Sequence, residues 1–356
     1  MRVLVISDKI DLPESHIFLG LAEKGVEVTI YCNPTSPHQE RLKHGGVVIN
    51  HLAIKSRIEP SVILRMRAIM PAFDIVHFFS NRALSNGLIA ALGLQVKCVA
   101  YRGTVGHLSR FDPLSWLTYL SPRLNGVVCV SKAVENYLLS LKVAPAKLIT
   151  IHKGHERGWY TSEAIDRATF GISPTSSIIT CAANFRPVKG GSYLIRSFLD
   201  IDPELNAHLV LVGEIRDREM KKLLNSERLN TRIHSLGFRK DVSSVIGMSD
   251  IFAMPSIDRE GLPKAVIEAM ARGVPPIVTA VGGLPELVKD GQSGLVVAPR
   301  SVSALKEAIT RLIVDRELSR KLGQGAINQI DGPFSVKHSI DQTFNWYGSL
   351  LGSNNY

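Results

Sequence analysis

The chain has 356 residues, 45% of them hydrophobic, which is enough for two ordinary cores and excludes a compositionally disordered polymer. No apolar stretch approaches the roughly 18 residues of a membrane span; Met1 runs straight into a strand pattern, so a secretory leader is not expected. The four scattered cysteines (Cys32, Cys98, Cys129, Cys181) lack metal or redox spacing, so a cytoplasmic chain with reduced, buried thiols is expected.

The formal charge of +10 is uneven: residues 1–160 hold 19 Lys and Arg against 11 Asp and Glu, the remainder 23 against 21. A basic first half points to an anionic partner, a phospholipid surface or a phosphorylated glycan. Nucleic acid is disfavoured, because no known binding module is present.

Strands and helices alternate almost throughout. A strand at 2–7 is followed by a helix at 13–24, ended by Gly25, and strands at 26–32 and 46–52. A basic amphipathic helix at 62–70 carries Arg65 and Arg67, and a buried strand at 75–79 precedes a helix at 84–92. Strands at 97–101 and 126–130 lead to Ser131, which has the chemistry to cap a helix reaching Leu141, and a strand at 148–152 closes the half. Residues 153–176, rich in glycine and poor in apolar pattern, read as a linker.

The second series starts with a strand at 177–182. Helix 190–199, strand 208–212, helix 217–227, strand 231–235, helix 241–247 and strand 250–254 follow. Helix 263–272, strand 276–279, helix 284–288, strand 294–297 and helix 302–313 complete it, and 335–351 reads as an amphipathic helix with Trp346 and Tyr347. Such alternation predicts an α/β chain of two Rossmann-like, doubly wound domains with parallel sheets. The expected division is 1–160, 161–334 and a C-terminal helical segment 335–356. Ligands are expected in the cleft between the domains, at the carboxyl ends of the strands.

Residues 260–268, Glu-Gly-Leu-Pro-Lys-Ala-Val-Ile-Glu, follow a buried strand and open a helix, with Pro263 suited to the first helical turn. A helix start offers free N–H groups and partial positive charge to a phosphate. Glu260 and Glu268 would accept hydroxyl hydrogen bonds on either side of it. Hydroxyls at both ends with phosphate between them describe a nucleotide sugar. The loop 184–191, Asn-Phe-Arg-Pro-Val-Lys-Gly-Gly, also joins a strand to a helix, and its Arg186 and Lys189 suit a diphosphate. The first loop, 7–13, contains no glycine, which argues against a dinucleotide cofactor.

From 186 to about 299 the sequence resembles the retaining glycosyltransferases of family 4, which have the GT-B fold. The matching stretches are 184–190, 211–214, 236–238, 241–242, 249–256, 260–273 and 281–288, and they include the pair of glutamates separated by seven residues. The first half matches more loosely, at 74–77 and 130–134. The resemblance implies that Glu260 binds donor-sugar hydroxyls and Glu268 the ribose. Gly261, Leu262, Pro263 and Lys264 would lie along the diphosphate and sugar, and Lys189 would neutralise the leaving diphosphate. The family arginine stands five residues before that lysine, where this chain has Asn184; Arg186, three before, is expected to reach the same phosphate by a shifted geometry.

Where relatives carry a histidine after the strand at 97–101, this chain has Arg102, which cannot serve as a base at neutral pH. His77, Arg102 and His107 are the acceptor-side candidates. The implied reaction is transfer of a sugar from a nucleoside diphosphate to a hydroxyl of a glycan or lipid-linked saccharide, with the anomeric configuration retained. The donor is a substrate; no cofactor and no metal are expected. Arg65, Arg67, Arg102, Arg110 and Arg123 add to the case for an anionic acceptor, or for peripheral contact with the inner face of a membrane during surface-polysaccharide or lipopolysaccharide synthesis. Two other classes stay open: a GT-B sugar-nucleotide epimerase, which would convert its donor without an acceptor, and a nucleotide-sugar-binding protein without catalysis.

Overall fold

A computed structural model describes residues 1–225 and 231–352. The chain divides into two compact units, Met1–Gly154 with the chain from Phe334 onward, and His155–Pro333.

The first unit is built on a parallel sheet of β1 (Arg2–Ser7), β2 (Glu27–Cys32), β3 (Val48–His51), β4 (Ile75–Phe78), β5 (Lys97–Arg102), β6 (Gly126–Cys129) and β7 (Leu148–Thr150), in the order β3-β2-β1-β4-β5-β6-β7. Val3, Leu4, Val5 and Ile6 of β1 are wholly buried. A parallel strand covered on both faces reads as such a continuous apolar run. Helix Leu12–Glu23 starts at a capping box: Asp11 accepts from the Glu14 N–H, and the Glu14 carboxylate accepts from the Asp11 N–H. The C-terminal helix Val336–Leu350 packs on it so closely that a Cβ at Gly20 would lie 2.2 Å from Ile340. Tyr347 is fully buried in this core beside Phe18.

The second unit carries β8 (Ser177–Ala182), β9 (Ala207–Val212), β10 (Ile233–Ser235), β11 (Ile251–Met254), β12 (Pro276–Thr279) and β13 (Leu295–Val297), all parallel, in the order β10-β9-β8-β11-β12-β13. The winding reverses between β8 and β11, as it does between β1 and β4 in the first sheet. Chains leave the carboxyl ends of those two strands in opposite directions, which opens a crevice there.

Several elements differ from the sequence expectation. Helix Arg316–Asp331 is absent from the predicted series. It carries two glycines, Gly323 and Gly325, and a Cβ at either would strike the Gly273 or Gln292 carbonyl oxygen, at 2.2 and 1.9 Å. The helix expected at 217–227 spans Arg218–Leu224, and its positions 226 and 227 lie outside the described residues, as do 353–356 of the C-terminal segment. The linker region holds two short 3-10 turns, Arg157–Tyr160 and Arg167–Phe170, within the second unit. Among the described residues, no helix is long and apolar enough to cross a membrane.

Candidate active site

The loop after β8 is pinned before it reaches its charged residues. Phe185 is fully buried; its N–H donates to the Glu214 carbonyl (2.9 Å), and its own carbonyl accepts from the N–H groups of Arg216 and Asp217 (2.8 and 2.9 Å). A 3-10 turn, Pro187–Lys189, then leads into Gly190, which sits at φ +66° with the Pro255 carbonyl oxygen 1.9 Å from where a Cβ would be. Only glycine meets both requirements. The Ile257 N–H donates to the Val188 carbonyl (2.9 Å), so the loops after β8 and β11 are tied at the point where the winding reverses.

This tie brings Lys189 to Glu260, 71 positions later: Nζ lies 2.5 Å from Oε1. The two side chains are 19% and 6% exposed, so the pair is largely removed from water. Ser256 Oγ donates to the same oxygen (2.5 Å), and the Ser256 carbonyl accepts from the Thr279 hydroxyl at the end of β12. Gly282, at φ +56°, passes directly over the Glu260 carbonyl, which accepts from the Gly283 N–H (3.2 Å). Glu260 is therefore fixed by loops from three adjacent strands. Burying a carboxylate and an ammonium costs several kcal/mol per ion and is repaid only in good geometry, so such a pair at a strand edge is costlier than apolar packing.

Helix Lys264–Ala271 begins one residue later than expected, with Pro263 as its N-cap in extended conformation. Its first N–H groups have no partner within the helix. Glu268 is buried on its inner face; Oε1 is 2.8 Å from Nζ of the exposed Lys264, one turn earlier, while Oε2 is buried without a hydrogen-bond partner. An orphaned buried carboxylate oxygen costs about 1–3 kcal/mol, and a hydroxyl donor would satisfy it. Gly261, Leu262 and Pro263 are half-buried along the same approach. Arg186 is exposed at the head of the lysine turn, its carbonyl accepting from the Lys189 N–H (2.8 Å). Beneath the loop, burial pushes the Cys181 thiol up to about 12, which Lys189 only partly offsets, so this cysteine is an inert core residue.

The acceptor-side candidates stand in the first unit, where the structure corrects their placement. His77 lies inside β4, 2% exposed, with Nδ1 2.6 Å from the Tyr347 hydroxyl, and not on a surface open to an acceptor. Burial lowers its pKa to about 3, so the ring is neutral. Arg102 is the last residue of β5 rather than the first after it. It is 4% exposed, donates to the carbonyls of Thr104 (3.0 Å) and Gly106 (2.5 Å), and lies over the Tyr119 ring. Its guanidinium holds its own loop together. His107 is exposed in that loop at φ +65°.

Sequence reasoning missed Ser256 and Thr279, small polar residues with no pattern of their own. It also missed a charged cluster at the first sheet's reversal point. There Lys153 Nζ lies 2.8 Å from both Asp11 Oδ2 and Glu14 Oε1, and 5.0 Å from the Tyr101 ring centre.

The glycosyl transferases group 1 model matches residues 162–329 and the glycosyltransferase family 4 model residues 16–157. The N-acetyl-alpha-D-glucosaminyl L-malate synthase of Bacillus anthracis is 30% identical over 183 residues, 51% of this chain and 48% of that protein, so the match spans about half its length. The UDP-Gal:alpha-D-GlcNAc-diphosphoundecaprenol alpha-1,3-galactosyltransferase of Escherichia coli is 25% identical over 302 residues, 78% of this chain and 76% of the relative. The structure of Anabaena HepE in complex with UDP superposes with a TM-score of 0.79 at 18% identity, covering 98% of this chain and 100% of HepE. With both halves matched in order, the chain belongs to the family 4 glycosyltransferases and has the GT-B fold.

Proposed function

We propose that the protein moves a sugar from a nucleoside diphosphate to a hydroxyl of a glycan or lipid-linked saccharide, with retention of anomeric configuration, in cell-surface polysaccharide or lipopolysaccharide synthesis. The observation that carries the donor side is the Lys189–Glu260 pair at the β8/β11 reversal, beside the half-satisfied Glu268. In this reading the incoming diphosphate takes over Lys189 Nζ and the N–H groups at the start of helix Lys264–Ala271, with Arg186 closing from solvent. Glu260, released from the lysine, accepts hydroxyls of the sugar, and Glu268 Oε2 accepts a ribose hydroxyl.

The bond from the anomeric carbon to the diphosphate oxygen breaks, and its electron pair leaves with the diphosphate. The acceptor oxygen bonds to the same face of that carbon and passes its proton to the departing phosphate. Lys189 and Arg186 stabilise charge where it develops, the role in which fixed donors act most strongly, so the reaction proceeds without a metal. The names of the relatives support this reading: one uses UDP-galactose and a diphosphoundecaprenol-linked acceptor, and HepE holds UDP. The basic first half suits an anionic acceptor or the inner face of a membrane.

A thermal-shift panel of UDP-, GDP- and ADP-sugars tests the donor site. A ligand at about 100 times its Kd stabilises by about 2.7 kcal/mol, well within detection. Glu260→Ala is expected to abolish both the shift by the sugar moiety and transfer while the fold survives; full activity in that variant would falsify the site. Conversion of the donor without acceptor would favour the epimerase reading instead.

A further inference from the structure

Three surface grooves of the first unit join into one furrow. Pro122 lines the first two, and residues 94–97 line the second and third. Lys97 opens β5, Asn125 precedes β6, Lys147 precedes β7 and Arg2 opens β1, so the furrow runs along the amino-terminal edge of the seven-stranded sheet. That is the edge opposite the carboxyl ends, where ligands of such sheets bind.

Its walls carry Arg110, Lys142, Lys147, Arg123, Lys97 and Arg2, against a single lining carboxylate, Asp74, which is paired with Arg2 at 3.2 Å. Lys142 sits at φ +63°, a conformation that ordinarily selects glycine, yet a lysine occupies it at the exposed end of its helix.

At one end of the furrow, beside Arg110, the short turn of helix Pro113–Trp116 presents the most exposed large apolar side chain among the described residues. Phe111 is 98% exposed, with Leu114 and Trp116 each at 44%. The turn is rigidly built. The Trp116 indole N–H donates to the Arg110 carbonyl (2.9 Å), and Asp112 caps the helix through the Leu114 N–H (3.1 Å) and the Ser115 hydroxyl (2.8 Å). Asp112 is thereby engaged inside the turn. Lys147 and Arg123 also donate to the Pro122 and Ala91 carbonyls, which leaves their charge unneutralised. An exposed aromatic wedge beside cations that outnumber carboxylates has the chemistry of an interface with anionic lipid: rings enter the headgroup region and ammonium and guanidinium groups meet phosphate.

We infer that this edge, with Phe111 as its wedge, docks the protein on an anionic phospholipid surface. The inference deepens the membrane part of the proposed function by assigning its contact surface, and it leaves the donor site untouched.

The test is flotation of the full chain with vesicles of phosphatidylcholine alone or mixed with phosphatidylglycerol, at low and high salt. The wild type is expected to float only with the anionic vesicles, and to release as salt rises. Arg110→Gln with Lys142→Gln weakens partition about fivefold per charge removed, about 25-fold together. Phe111→Ser, a change at a side chain that touches almost nothing, weakens it about tenfold.

UDP-induced thermal shift, measured on the same preparations, is expected to be equal in wild type and variants, which shows that they are folded. Equal retention on both vesicle types, no retention on either, or variants that float like wild type overturn the docking surface. Absence of a shift by any of the UDP-, GDP- and ADP-sugars in the wild type would instead overturn the donor-site reading and leave the docking result standing.

Discussion

Glu268 offers a perturbation whose effects on stability and binding run in opposite directions. The carboxylate is buried with Oε2 unpartnered and Oε1 paired only to Lys264, whose side chain is 69% exposed. Glu268→Met keeps most of the volume and removes the charge. The relieved acceptor contributes about 1–3 kcal/mol. The lost pair, with one partner in solvent, subtracts at most about 1 kcal/mol. The free protein is therefore expected to gain about 1 kcal/mol, a rise of about 2–4 °C in the melting temperature for a unit of this size.

Nucleotide binding moves the other way. A hydrogen bond from a ribose hydroxyl to a charged acceptor is worth about 1.5–3 kcal/mol, so Kd for UDP should rise about 10- to 150-fold. Scanning fluorimetry across a UDP titration reads both quantities in one experiment. A variant that melts several degrees lower and binds UDP as tightly as wild type would refute the argument, because the carboxylate would then be a structural group.

Lys189→Met removes the cation from a buried pair and leaves Glu260 with Ser256 alone, so transfer should fall about 100- to 1,000-fold and stability by about 3 kcal/mol. Adding Glu260→Gln should restore the melting temperature but not the rate, as steady-state assays and calorimetry on the double variant will show. Gly190→Ala places a methyl group 1.9 Å from the Pro255 oxygen at φ +66°. It is expected to cost more than about 1 kcal/mol and to separate the two loops, with loss of the UDP-induced thermal shift; an unaltered shift would show that the tie is dispensable.

His77 sets an acid limit. Its folded pKa, lowered to about 3 from an ordinary 6.5, means that the unfolded chain binds the extra proton between those values. Stability is therefore full above pH 6.5 and falls as pH drops toward 3, by up to about 1.4 kcal/mol per pH unit. His77→Gln should flatten that slope in a series of melts from pH 7 to 4, and an unchanged slope assigns it to other groups.

The central parallel strands were legible because they hold unbroken apolar runs bounded by turn residues, as 3–6 and 251–254 show. Helix Arg316–Asp331 was not, because its two glycines serve close packing against loops that only the folded chain brings near. The partnership of Lys189 with Glu260 spans 71 residues and was accessible only through topology and resemblance: both follow strands that become neighbours in the sheet. His77 was offered as a polar contact because its partner, the Tyr347 hydroxyl, lies 270 positions away and nothing local announces it. Arg102 was offered to a ligand because nothing in Tyr-Arg-Gly-Thr announces that the loop folds back onto its own guanidinium.

The two sheets reverse their winding at equivalent places, yet the edges differ in chemistry. At the first, Lys153 is matched by Asp11 and Glu14, Tyr101 stacks on Phe79 with ring centres 5.3 Å apart, and the Phe79 N–H donates to β1 (2.9 Å). There one ammonium stands between two carboxylates, and each of the three groups has a partner within the protein. At the second, Lys189 answers Glu260, but Glu268 retains an acceptor that no protein donor satisfies, and the first N–H groups of its helix lie beside it. A crevice whose charged groups are all partnered within the protein, with carboxylates in excess, has little to gain from an anionic ligand. One that combines an unmatched acceptor with a helix start gains at two points from a ligand carrying hydroxyl and phosphate together. That asymmetry is what supports the second edge, rather than the first, as the donor side of the proposed reaction.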